Sequence, residues 1–341
     1  MNLVKVGLRA AVAAAVVFSY AAIHGPARAA DPGPIVMKIT LPTINENTHQ
    51  YAKNFAAAVE KDSGGRIKPE IYPASQLGSI PRQIEGTQFG SIQVAVIPPE
   101  FFVGIDPRFE VMAAPGLVGS LPQAERLTAD PEVKKLILGL GANKGLYGAA
   151  LFVGNPSFLV SKMPVRTLAD FKGKKLRVLA SEFQIKALER LGATAVAMSL
   201  GDVLPAIQQG AIDGAVSAIT VFTSMQYEDA AKYVTRTGQP TIFIAVEFSR
   251  KWHDSLPADL RKIVDEDAAR ESVTINAVTE QYFANGQKQW TEKGGELIDL
   301  SPDDQAAMME SMASAADEVA KKNPDVAAAY QIVTAAAKRV K

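Results

Sequence analysis

Two separated stretches of this 341-residue chain repeat one pattern. Residues 90–96 read GSIQVAV and residues 210–216 read GAIDGAV, both fitting G-[SA]-I-[QD]-x-A-V. Each follows a helical periodicity, SIPRQIEGTQF in one case and SLGDVLPAIQQ in the other, so each leading glycine reads as a helix stop feeding a short buried strand. Upstream, GGRIKPEIYPAS (64–75) and GKKLRVLAS (173–181) match again as a glycine turn, a strand and a helix start. Ser181 with Gln184 three residues on predicts a capping box. The repetition predicts an α/β protein of two lobes with related topology. With 48% hydrophobic residues the chain can fill two cores. It carries neither a basic stripe nor an acidic tail, so nucleic acid is not an expected partner.

The first thirty residues belong to neither lobe. Lys5 and Arg9 precede an apolar run from Ala10 to Ile23, and Ala27, Arg28 and Ala29 follow. This order predicts a secretory signal peptide over 1–30, cleaved near Ala29/Ala30. The apolar run is shorter than the roughly 20 residues a membrane span needs. Removing Lys5, Arg9 and Arg28 from 36 basic residues leaves 33 against 36 acidic ones, a net charge of −3. The chain has no cysteine, so neither a lipid anchor nor a disulfide is available. The expectation is a free periplasmic protein held together by packing.

Further along, IVMKITLPT predicts a buried strand and HQYAKNFAAAVEKDSGG an amphipathic helix stopped by Gly64 and Gly65. From Ser255 and Pro257 a helical pattern extends to Lys293, where Gly294 and Gly295 end it. About 35 residues make a helix of about 50 Å, long enough to span both lobes, with Gly286 the cheapest place for a bend. The alanine-rich tail SPDDQAAMMESMASAADEVAKKN and the residues beyond it predict helix packed on one lobe.

Catalytic chemistry finds little to work with. His24 lies in the signal segment, and His49 and His253 stand far apart. No nucleophile elbow, zinc helix, phosphate loop or paired-cysteine motif occurs. His253 in RKWHDSLP reads as part of a polar helix approach, and the carboxylates of VDEDAARE as a solvated face. No enzyme activity, cofactor or metal is expected.

Arg177 is the exception to this bland pattern. It stands among Leu176, Val178 and Leu179 in a stretch that predicts a buried strand, where an unpaired charge costs several kcal/mol. Strand C-terminal ends escape that cost in open α/β folds, because they line the ligand crevice, where a guanidinium can grip a carboxylate through two parallel hydrogen bonds. The competing explanation is a structural salt bridge to an internal Asp or Glu.

GGRIKPEIYPASQLG, LADFKGKKLRV, LPAIQQGAIDG and QYEDAAKYVTRTG, in this order and spacing, resemble the DctP-type solute receptors of tripartite ATP-independent periplasmic (TRAP) transporters. The resemblance runs from Met37 to at least Trp290. It implies a two-lobed periplasmic binding protein, type II-like, each lobe a mixed sheet flanked by helices. The implied lobes are 31–154 with 243–285 and 155–242 with 286–341, closing around an organic acid. Arg177 matches the family's carboxylate-binding arginine, and TRAP membrane subunits are the implied partners.

Departures from the family pattern shape the expected ligand. Ser217 stands where many members have asparagine, the place of a second arginine found in receptors for polar sugar acids falls near Ser157, and Ala180 replaces another asparagine. A turn that can offer a carboxylate reads Ile97-Pro98-Pro99. The candidate ligand-binding set is Arg177, Asn47, Pro98, Asn155, Ser157, Ala180, Ser181, Leu200, Ser217 and Phe222, with Phe158 a further wall candidate. One cation among apolar walls predicts a monocarboxylate with an apolar, aromatic or branched body. A C4-dicarboxylate ligand and a sensor kinase as partner are the alternatives, and an exported hydrolase or isomerase is disfavoured for want of acid–base groups. No heptad or exposed apolar run suggests an interface, so a monomer is expected.

Overall fold

The protein is described by a computed structural model over residues 33–341 apart from Gln239, so the expected signal segment lies outside the described residues. β1 (Ile35–Thr40), β2 (Ile67–Tyr72) and β3 (Val94–Ile97) form one end of a ten-stranded sheet. The long β4 (Leu146–Ser161) follows, then β5 (Lys175–Val178), β6 (Thr194–Ala197) and β7 (Gly214–Ala218). Short β8 (Tyr233–Thr235), β9 (Thr241–Ser249) and short β10 (Glu296–Ile298) complete it. The spatial order is β2-β1-β3-β9-β4-β7-β5-β6, with β8 beside β4 and β10 beside β8. β1 runs parallel to β2 and β3, and β5 parallel to β6 and β7.

β4 and β9 tie the two halves of the sheet together. The N-terminal part of β4 pairs with β9, and Ser157 to Ser161 pair with β7. Register shifts fall between Gly148 and Ala150 and between Val153 and Pro156. Pro156, which cannot donate to a ladder, sits at the second shift, where regular pairing is already broken. One hydrophobic cluster runs from Met37 and Phe55 through Phe152 to Val203 and Trp290, while a smaller one gathers Leu159, Phe171, Leu176, Val178 and Met308.

Local structure follows the sequence reading in its first lobe. Met37 and Ile39 of β1 are buried under the helix Asn47–Asp62, which turns Tyr51, Phe55 and Val59 inward at four-residue spacing. Gly64 and Gly65 end that segment at φ +64° and +78°, a conformation that costs glycine nothing.

Three expectations need correction. The long helix is divided into Ala258–Thr274 and Asn276–Glu292 at Ile275, not at Gly286. Gly286 instead admits the close approach of the helix Ile219–Ser224: a Cβ there would lie 3.3 Å from Ile219 Cγ2 and 3.4 Å from the Thr220 nitrogen. The tail does not stay on one lobe. Its helix Pro302–Ala320 packs on Glu182–Arg190, while Pro324–Arg339 packs on Pro131–Gly139, where Arg339 bridges to Asp130 at 2.9 Å. Finally, His253 is buried rather than set on a polar approach, stacked 3.9 Å from the Tyr147 ring and hydrogen-bonded to Asp265 at 2.9 Å.

Glu247 is the most isolated ionisable group of the interior. It lies in β9 opposite Ala95 and Gly148, is fully buried, and neither carboxyl oxygen has a partner among the described residues. Burial pushes its pKa well above the usual carboxylate range. Glu100 behaves likewise, pushed up to about 7 chiefly by burial. A carboxyl whose folded pKa is raised holds a proton that the unfolded chain releases, so its contribution falls as pH climbs from the unfolded value toward the folded one. We expect the melting midpoint to be higher at pH 5 than at pH 8, with Glu247→Gln reducing the difference. A pH difference that Glu247→Gln leaves unchanged would remove Glu247 from the effect.

Candidate ligand-binding site

A cavity of about 40 Å³ lies between the two halves of the sheet. β5 delivers Arg177 to it. Alternation along the strand sends Leu176 and Val178 into the smaller hydrophobic cluster and Arg177 to the opposite face, where it is 1% exposed. Its Nε donates to the Met198 carbonyl at 2.9 Å and Nη1 to the Val216 carbonyl at 3.0 Å. These bonds hold the guanidinium plane beyond the end of β6 and against β7. Nη2 makes no hydrogen bond to the described residues, and none of their carboxylates lies within 4 Å.

Burial without a close counter-ion pulls the Arg177 pKa down to about 10, still well above neutrality. Glu100, on the 3₁₀ turn Pro99–Phe102, is close enough to feel the guanidinium but is hydrogen-bonded instead to Gln184 Nε2 at 3.3 Å. The same Gln184 accepts from the Leu179 amide at 3.0 Å. The expected capping box therefore forms by half: Ser181 accepts from the Phe183 amide at 3.1 Å, and Gln184 reaches elsewhere.

Of the sequence candidates, Arg177, Asn47, Pro98, Asn155, Leu200 and Ser217 line the cavity. Ser157, Ala180, Ser181 and Phe222 do not. Ser157 is wholly buried in β4, with its amide on the Pro240 carbonyl and its Oγ without a partner among the described residues. Ser181 caps the helix Glu182–Arg190, and Ala180 lies beside it, half-buried. Phe222 belongs to the core, edge-on to Tyr227 and 6.3 Å from Trp290. Phe158 packs on Phe283 at 5.6 Å.

Sequence reasoning missed Thr43, Glu46, Phe101 and Thr220 in the wall. Glu46 is the N-cap of Asn47–Asp62, accepting from Thr43 Oγ1 at 2.6 Å, the Thr48 amide at 2.9 Å and the His49 amide at 3.0 Å. Burial nevertheless raises its pKa. The signal was a carboxylate three residues before an amphipathic run, but glutamate is not among the preferred caps.

Asn47 and Asn155 form a directed relay beside Gly154. Thr279 Oγ1 donates to the Ile275 carbonyl at 3.0 Å, and Asn47 Nδ2 donates to the Gly154 carbonyl at 2.8 Å and to Thr279 Oγ1 at 3.3 Å. Asn47 Oδ1 accepts from Asn155 Nδ2 at 3.1 Å.

Among the described residues, no cluster of three or more His, Cys, Asp or Glu could hold a metal ion. A single buried cation held by backbone carbonyls, in a wall of mixed apolar and polar residues, is equipped to bind an anion.

A family model described as bacterial extracellular solute-binding protein, family 7 (DctP), matches residues 40–323. The chain belongs to that family. Solute-binding family 7 comprises the binding proteins of transporters, not enzymes. One relative, a solute-binding protein of Albidiferax ferrireducens, is 30% identical over 272 residues, which cover 76% of this chain and 78% of that protein. The C4-dicarboxylate-binding periplasmic protein DctP of Rhodobacter capsulatus is 25% identical over 307 residues, 89% of this chain and 92% of that one. A TRAP periplasmic solute binding protein from Desulfovibrio salexigens, solved with bound orotic acid, matches the fold at a TM-score of 0.85. That match covers 90% of this chain and 99% of the other at 24% identity. The fold is the two-lobed periplasmic binding protein with a mixed α/β sheet that the sequence predicted.

Proposed function

We propose that this chain is the periplasmic receptor of a TRAP transporter, binding an organic acid through Arg177 and delivering it to the membrane permease subunits. The single supporting observation is that buried guanidinium: two of its five N–H groups are spent on carbonyls, no carboxylate of the described residues lies within 4 Å of it, and Arg177 lines the cavity. An organic acid supplies the missing counter-ion. Contacts from both lobes to one ligand favour the shut form. The proposed lobe boundary at 154/155 coincides with the second register shift in β4.

The acid we infer is a monocarboxylate with an apolar, aromatic or branched body. Ile80, Val96, Leu179, Ile242 and Ile244 supply apolar wall, and Arg177 is the one cation among the described lining residues. The name of the Rhodobacter relative favours a C4-dicarboxylate instead. Against that reading, a second carboxylate would meet the buried Glu46 and no second cation, and an unpaired charge in such a site costs several kcal/mol. Thermal-shift titration with aromatic, branched and C4 acids tests the choice. We expect stabilisation by aromatic or branched monocarboxylates; a response to succinate or malate alone would establish the dicarboxylate reading. Native mass spectrometry of freshly purified protein would identify any acid carried through purification.

A further inference from the structure

We infer that Asn155 is a specificity-determining hydrogen-bond acceptor, so that the bound acid carries an O–H or N–H donor on its body and its oxo counterpart is rejected. The inference rests on the receptor reading and sharpens it. Amide orientation is usually an assignment, because oxygen and nitrogen are nearly indistinguishable, but here the surroundings decide it. The carbonyl of Ile275 can only accept, so Thr279 Oγ1 donates its one proton there and is left as an acceptor. The Gly154 carbonyl can also only accept. Asn47 must therefore turn its NH₂ toward both, which leaves its Oδ1 to accept from Asn155. Asn155 in turn must present Nδ2 to Asn47, and its remaining atom, Oδ1, is an acceptor.

That Oδ1 has no partner among the described residues, although Asn155 is 0% exposed and borders the cavity. Its Nδ2 has a second, long contact with Thr220 Oγ1 at 3.5 Å, so the donor side is satisfied and the acceptor side is not. Buried acceptors of this kind select ligands that satisfy them, because an analogue without the donor leaves the oxygen desolvated and unpaired. A 2-oxo group offers only acceptor lone pairs toward Asn155, whereas a hydroxyl offers a proton. Ring N–H groups and amide N–H groups meet the same requirement.

The test uses matched acids on the mature protein by isothermal titration. Phenyllactate is compared with phenylpyruvate, 2-hydroxy-3-methylbutanoate with 3-methyl-2-oxobutanoate, and 3-hydroxybutanoate with butanoate. In each pair with a binding member we expect the donor-bearing acid to bind at least about tenfold more tightly, and Asn155→Leu to abolish that gap. The wild-type comparison stands by itself should the variant fail to fold. An oxo or unsubstituted acid binding as tightly as its partner, or a gap that survives Asn155→Leu, overturns the inference while leaving the receptor reading intact. Absence of binding by every monocarboxylate, with binding of some non-acid solute, overturns both.

Discussion

Arg177→Met should weaken acid binding by roughly 30- to 5,000-fold while leaving the ligand-free protein as stable as before. The two halves of this expectation come from one fact, that the guanidinium is buried without a carboxylate within 4 Å. In the ligand-free fold the charge is a desolvation cost offset by two carbonyl bonds and the more distant Glu100, so an apolar side chain of similar length removes a cost together with those bonds. In the proposed complex the same charge would meet the ligand carboxylate, and truncating one partner of a buried charge pair costs about 2–5 kcal/mol, roughly 30- to 5,000-fold in affinity. Arg177→Lys keeps the charge but loses the planar fork and should fall between. Calorimetric titration and a melting curve on the same sample check both halves. Undiminished affinity in Arg177→Met would remove Arg177 from the site.

The second large effect is structural. Gly214→Val would make the second repeat read GAIDVAV, closer to GSIQVAV, yet it should destabilise the fold by about 3 kcal/mol, the upper end for overpacking. Val94 occupies the corresponding place in β3 and is fully buried between Ile39 of β1 and Phe248 of β9. In β7 the same place faces β4, where a Cβ on Gly214 would collide with the Val160 carbonyl oxygen and lie 3.1 Å from Ser161 Cα. That obstacle is backbone inside a paired strand and cannot rotate away. For a chain of this size a loss of about 3 kcal/mol lowers the melting midpoint by about 4–5 °C. A variant that melts with the parent would show that β4 and β7 can separate at Gly214 at little cost.

That pair of positions also marks what the sequence could and could not reveal. The glycine stop, the strand after it and their recurrence were legible because helix ends and short strands are written in neighbouring residues. Arg177 was legible for the same reason, as a charge inside an apolar run. What Gly214 must avoid was not, because Val160 is distant in sequence and becomes a neighbour only through pairing. Asn155 entered the candidate set, but its free acceptor did not, since it depends on Asn47 and Thr279, 108 residues before Asn155 in one case and 232 beyond Asn47 in the other. Glu46 and Thr43 were overlooked because the capping pattern they form uses an uncommon residue. The division of the long helix at Ile275 had no composition signal at all: the dihedrals there remain helical at φ −65°, ψ −30°. Gly286 misled because a glycine can serve a close approach as readily as a bend.

The sheet order has a bearing on how such a molecule could be divided. Because β4 and β9 lie in the middle and each serves the ladder on both sides, no cut through either leaves two closed pieces. A severed fragment would display an unpaired interior strand rich in Val, Ile and Phe, the kind of edge that recruits other chains. The two halves of the sheet thus share their central strands and are not separate units of folding, and recombination between relatives is safest outside these two strands.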